Sequence, residues 1–308
     1  MIGFIHHATV RTADVDAAMA RYARLLGLTG EREGGRGLMR CGYEDFCLEL
    51  VPAGGAAPGV EHVAYELRRG IALQEAADRL AGHGVAAREV EVPRRGTGLR
   101  LEDPAGHGVL VLERVLPSDR RPPVARTTDV LPAFHPRRFQ HVNYLCSDVG
   151  ALVDFYTGAL GFEVTDWIGD GAVWLHCNRD HHALAFLDKG YDHIHHLAFE
   201  LVDWGEMRVA LDHLGQHGRN VVWGPGRHAM AQNLFAYWRM HEEEHFIELF
   251  ADLEQLDADH EPRHFPDDPR ASNAWGILPP RSYFRFDEDA IRSELEQREA
   301  LAADTATP

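Results

Sequence analysis

Lysine is almost missing from this chain of 308 residues: Lys189 is the single one. We attach no mechanism to that. Acidic residues outnumber basic ones, 48 against 31, for a net charge of −17. Such an excess opposes binding to nucleic acid and to anionic membrane surfaces. Cysteine is scarce too. Cys41, Cys47, Cys146 and Cys177 have no CxxC spacing, so they read as buried thiols of a reducing cytoplasm, not as a disulfide frame or a zinc site. No apolar run approaches the ~18 residues that a bilayer span requires. The opening MIGFIHHATV lacks a basic segment and a cleavage site, so no secretion signal is expected. What remains is a globular composition, 45% hydrophobic and 26% charged. Its length suffices for two domains with their own cores.

The chain repeats itself. FIHHATVRTADVDAAMARYARLLGL resembles FQHVNYLCSDVGALVDFYTGALGF. His7 recurs as His141, Asp14 as Asp148, Gly27 as Gly161, His62 as His196 and Gly84 as Gly218, each 134 residues on. A shorter step of 55 residues leads from His7 to His62 and from His141 to His196. Four units of that length are expected, paired into two domains. Each opens on a β-rich run, continues through an Asp suited to a helix N-cap, and then gives an amphipathic helix closed by glycine. Three short strands complete it, so the pattern is α+β, with βαβββ four times. The expected boundaries are a first domain at 1–116 and a Pro-rich linker at 117–136. A second domain follows at 137–252, then an arm and a charged, loosely held helix at 253–308. The helix is expected at about 288–302, and the arm is a candidate lid or subunit contact.

Three residues of the second half stand on separate apolar segments: His141 in FQHVNYL, His196 in IHHLAFE and Glu248 in HFIELF. Two neutral imidazoles and one carboxylate form the set that holds a non-haem Fe(II) on one face and leaves the other open. A lone histidine on an apolar strand is more often a core residue; the fourfold repeat and the third ligand favour coordination. Glu248 among apolar neighbours would be costly unless paired or coordinated. His195 competes with His196, but the strand register that aligns His196 with His141 turns His195 to the opposite face.

Paired βαβββ modules with these histidines and a glutamate on the last strand resemble the vicinal oxygen chelate superfamily. Four modules in one chain resemble its two-domain, type I extradiol ring-cleaving dioxygenases, the group that includes catechol and homoprotocatechuate 2,3-dioxygenases. The resemblance covers roughly residues 1–252. Its most specific stretch is GPGRHAMAQNLFAYWRMHEEEHFIELF, with His228, Tyr237 nine residues later and Glu248. WLHCNRDHHALAF resembles the segment that supplies the acid–base histidine, here His182. Asn143 and Trp174 match pocket residues of the homoprotocatechuate branch. The resemblance therefore implies metal ligands His141, His196 and Glu248, which hold Fe(II) or Mn(II). It implies catalytic roles for His182, His228 and Tyr237, and a substrate pocket with Asn143, Trp174 and Trp223. The implied reaction is ring opening of a catechol by O₂ beside the diol, giving a muconic semialdehyde-type product, in a homo-oligomer.

Two departures qualify it. The family's Asp-Pro-x-Gly turn between Tyr and Glu is replaced by Met240-His241-Glu242-Glu243-Glu244, one residue longer. The arginine that clamps a substrate carboxylate in the homoprotocatechuate branch is replaced by Trp223, and indole cannot make a bidentate clamp. A neutral or bulkier catechol is expected instead. In the first half, the positions equivalent to His182, His228 and Tyr237 are Leu48, Arg94 and Asp103. Leu110 falls where Glu248 would, with Glu113 nearby, so that half reads as structural. The competing readings are a superfamily relative with other metal chemistry, such as isomerisation, epoxide conjugation or keto-acid-dependent oxygenation, and a metal-free protein that binds an aromatic ligand.

Overall fold

The computed structural model describes residues 1–42, 44–115, 134–287, 289 and 292–296. The expected linker lies outside them except for 134–136. Of the final helix, 289 and 292–296 are described, all helical.

Four βαβββ units follow one another. The first comprises β1 (Ile2–Thr12), α1 (Val15–Leu26), β2 (Thr29–Glu33), β3 (Arg36–Arg40) and β4 (Leu48–Pro52). The second has β5 (Gly59–Leu67), α2 (Leu73–Gly82), β6 (Arg88–Val92), β7 (Gly96–Glu102) and β8 (Gly108–Leu112). The third runs through β9 (Arg138–Cys146), α3 (Val149–Gly158), β10 (Glu163–Ile168), β11 (Ala172–His176) and β12 (Leu184–Asp188). The fourth is β13 (His193–Glu200), α4 (Trp204–Gln216), β14 (Trp223–Arg227), β15 (Leu234–Met240) and β16 (His245–Ala251). Asp14, Asp148 and Asp203 cap their helices by accepting from Ala17, Ala151 and Glu206 amides, which satisfies donors left free at a helix start. The second unit has Ala72 there and no side-chain cap. Gly27, Gly84, Gly161 and Gly218 all take φ between 66° and 74°, the left-handed conformation that glycine enters without strain.

The units pair into two sheets. The first has the order β2-β3-β4-β1-β5-β8-β7-β6. The second has β14-β15-β16-β13-β9-β12-β11-β10, extended at its edge by β17 (Arg263–Phe265). In each sheet the opening strands of two units meet antiparallel at the centre, β1 with β5 and β9 with β13. A parallel last strand flanks each of them. Alternation along the central strands divides the residues. Val142, Tyr144, Leu197 and Phe199 enter the main core with the helices. His141, Asn143, His196 and Ala198 are left for the other, concave face.

The tail is more ordered than its sequence suggests. β17, a helical turn α5 (Pro269–Ser272) and a 3-10 turn at Arg281–Phe284 follow one another. Glu294 in the last helix accepts from the buried Arg239 guanidinium at 2.6 and 2.9 Å, so this helix is anchored by an ion pair.

The acidic loop that replaces the expected turn is not a solvated excursion. Glu243 is fully buried and pairs with Arg21 and the Thr12 hydroxyl of the first sheet. Glu242 accepts from Arg219 at 2.6 Å. The extra residue is absorbed within the turn, because Tyr237 still stands directly opposite Glu248 across the β15–β16 hairpin. Glu243→Ala leaves Arg21, 13% exposed, without its closest partner. Urea unfolding should show a loss of roughly 3 kcal/mol, whereas a change within error would mean that the contact is incidental.

Candidate metal and substrate site

His141 and His196 occupy neighbouring positions on the two central strands, and Glu248 stands opposite Ala198 on the next strand. His141 Nε2 lies 2.8 Å and His196 Nε2 3.1 Å from Glu248 Oε2. All three are at least 96% buried. Burial alone would raise the Glu248 carboxyl, but His141 and His196 override it and hold the group well below the usual carboxylate range. Burial lowers His196 despite that carboxylate. The cluster is therefore two buried imidazoles around one ionised carboxylate.

Each histidine is oriented from behind. His141 Nδ1 donates to Gln140 Oε1 at 2.7 Å, and Gln140 Nε2 donates to the His182 carbonyl at 2.7 Å. His195 Nε2 donates to the Tyr283 carbonyl at 2.7 Å, which leaves His195 Nδ1 to accept from His196 Nδ1 at 2.8 Å. These fixed acceptors assign both Nδ1 protons, so both Nε2 lone pairs face the shared centre. Asn233 Nδ2 donates to Glu248 Oε1 at 3.2 Å. Such outer partners are how a metal site fixes ligand tautomer and aim. The donor set thus fits a first-row divalent cation. His195 packs against Phe246 and Tyr283 away from the cavity, with a register shift between Ile194 and His196.

A cavity of about 380 Å³ opens over the cluster. It is lined by all nine residues singled out from the sequence: His141, His196 and Glu248 at its floor, with His182, His228, Tyr237, Asn143, Trp174 and Trp223 around them. The His182 ring lies 4.3 Å from that of His141. Its Nδ1 meets His181 Nδ1 at 3.0 Å, and His181 Nε2 donates to Asp166 Oδ2 at 2.7 Å. Asp166 is also gripped by Arg263 at 2.8 Å. This chain leaves the His182 Nε2 lone pair unclaimed. Burial, then the neighbouring imidazoles, push His182 well below its ordinary pKa, so it is neutral. His228 Nδ1 donates to the Ser272 carbonyl at 2.6 Å, and its Nε2 accepts from the Tyr237 hydroxyl at 3.0 Å. Burial brings His228 down to about 4. Asn143 Oδ1 is buried without a partner. The Trp223 indole lies nearly parallel to Tyr237 at 5.4 Å and donates to the Ile277 carbonyl at 2.8 Å.

Several wall residues escaped the sequence reading. Asp268, Leu278 and Tyr283 come from the tail, which closes one side. Their stretch has no periodicity, and only its proline and aromatic content hinted at packing. Gln140, His181 and Asp166 were equally silent, although a polar residue beside each key histidine was a signal. Lys189 also lines the cavity, with its ammonium 4.6 Å above the Phe284 ring.

Residues 138–254 match the Glyoxalase/Bleomycin resistance protein/Dioxygenase superfamily. That segment, more than a third of the chain, carries a domain of that superfamily. Among curated members, metapyrocatechase 2 of Cupriavidus necator is 31% identical over 129 residues, covering 40% of this chain and 39% of that protein. The manganese-dependent 2,3-dihydroxybiphenyl 1,2-dioxygenase of Geobacillus genomosp. 3 is 24% identical over 265 residues, covering 80% and 84%. A solved structure of a homoprotocatechuate 2,3-dioxygenase variant from B. fuscum superposes with a TM-score of 0.81 at 21% identity, covering 92% of this chain and 81% of that one. The fold is thus shared with that structure along most of the chain, and the segment that matches the superfamily contains every residue at the cavity floor.

Proposed function

We propose that this chain is an extradiol dioxygenase that opens a catechol-type ring with O₂ at Fe(II) or Mn(II) held by His141, His196 and Glu248. The observation that carries the reading is the buried cluster of two imidazoles and one carboxylate, with His182 and a hydrogen-bonded His–Tyr pair lining the same cavity. An ion held by these three residues would acidify the diol hydroxyls and offer the ring and O₂ adjacent positions. His182 Nε2 takes the proton from a substrate hydroxyl and returns it when the ring opens. The Tyr237 hydroxyl, spending its hydrogen on His228, offers lone pairs to the second hydroxyl. Asn143 presents its unpartnered amide to the ring substituents. The stacked Trp223 and Tyr237 fix the ring plane and exclude water.

The walls support an apolar substituent. Ile168, Leu187, Met230, Leu278 and Phe284 line the cavity; among the described residues no arginine does, and the cation there, Lys189, lies over the Phe284 ring. A catechol with a neutral alkyl or aryl group should show a kcat/KM at least tenfold above that of homoprotocatechuate, which carries a carboxylate. The reverse order would overturn this substrate class.

The Asp166–His181 pair sets the His182 tautomer, as a buried carboxylate does for a base histidine. Asp166→Asn should lower kcat about tenfold with KM and metal content unchanged. An equal loss for metal would assign the pair a merely structural role.

A reducing cytoplasm is supported by four free, buried thiols. Among the described residues, no helix is long and apolar enough to cross a membrane. A homo-oligomer is supported by Trp275 and Ile277 of the arm, which are 55% and 70% exposed.

A further inference from the structure

The first sheet carries a cluster that this reaction does not use. His7, Glu49 and His62 each offer a donor atom, and these lie within 4.8 Å of one another. They are 0%, 2% and 8% exposed. His7 Nε2 is buried without a hydrogen-bond partner, a costly arrangement unless something binds it.

The cluster repeats the geometry of the second sheet with one exchange. Glu248 stands opposite Ala198, two residues beyond His196, on a parallel neighbour. Glu49 stands opposite Thr9, two residues beyond His7, also on a parallel neighbour. Leu110 fills the place opposite Ala64, the counterpart of Ala198, where the second sheet has Glu248. The carboxylate has therefore moved from the last strand of the second unit to the last strand of the first. The pseudo-twofold relation between units preserves its placement toward the two histidines.

We infer that His7, Glu49 and His62 form a second binding site for a divalent first-row cation. Two imidazoles and a carboxylate suit Mn(II), Fe(II) or Zn(II). The Thr9 hydroxyl sits among the donors, 2.6 Å from Glu49 Oε2 and 3.1 Å from His62 Nε2. Arg36 holds Glu49 Oε1 at 2.5 Å, which draws charge from the carboxylate. The ion is bound more weakly here than at Glu248, where a neutral amide takes that position. Phe46 packs 4.6 Å from the His7 ring, and Leu38, Leu110 and Leu112 fill the same face. Among the described residues these side chains cover the face that the second sheet leaves open, so the ion is structural and ties β1, β4 and β5 together.

The test counts metal on the full chain. Apoprotein is titrated with MnCl₂, and free Mn(II) is read by electron paramagnetic resonance. Wild type should saturate at two Mn(II) per chain, one tight and one weaker. Glu49→Gln and, independently, His62→Gln should each lose the weaker ion and keep the tight ion and turnover. Glu248→Gln should lose the tight ion and keep the weaker one. Circular dichroism and retained turnover certify the fold of the first two variants. Saturation of wild type at one ion, or two ions in either folded variant, overturns the inference. Both counts are independent of whether the second sheet cleaves catechols.

Discussion

Glu248→Gln should strip the tight metal site and abolish ring cleavage. The carboxylate lies 2.8 and 3.1 Å from the two imidazole nitrogens and is the sole anion among the three ligands. Its amide keeps shape and burial but removes the charge that offsets a dication among buried ligands. Losing even an outer partner of a ligand typically costs ~10–100-fold in metal affinity, so losing the ligand itself should cost on the order of 100-fold or more. Equilibrium dialysis against Mn(II), with turnover on the same preparations, checks it. Undiminished affinity at this site would remove Glu248 from the ligand set.

His182→Phe should leave the tight metal in place and lower kcat by on the order of 10²–10⁴-fold, the usual worth of a positioned acid–base group. Phenylalanine preserves the ring that packs 4.3 Å from His141, while Gln140 still orients His141. The proton acceptor is removed and little else. The loss should shrink for an electron-poor catechol whose hydroxyl ionises without help. Equal losses for both substrates, or release of the metal, would contradict a proton-transfer role.

Much of this was legible from residue spacing. The 134-residue repeat places His141 and His196 at equivalent openings of paired modules, which explains how distant positions meet. The other six residues of the cavity, His182, His228, Tyr237, Asn143, Trp174 and Trp223, came from the family resemblance instead. Glu49 was not legible because the search for a first-half carboxylate followed translation along the chain, whereas the acid sits in the twofold relation between modules. CLELV did carry the signal, an acid enclosed by apolar residues, on which Glu248 was recognised. The acidic turn misled for another reason. Its residues look solvated in sequence, but Glu243 finds Arg21 across the chain, a pairing that no local pattern encodes. The tail was opaque in part because its contacts with His228 and His195 are made by the backbone carbonyls of Ser272 and Tyr283, which any residue could supply.

The central claim is that this cavity joins O₂ to a catechol ring beside the diol. The most direct measurement is oxygen consumption by the Fe(II)- or Mn(II)-loaded protein with a small set of alkyl- and aryl-catechols, with the product read by absorbance and mass. The account predicts one O₂ consumed per catechol and a visibly absorbing semialdehyde heavier by two oxygen atoms. No oxygen uptake and a colourless solution across the set, with the metal demonstrably bound, would contradict it.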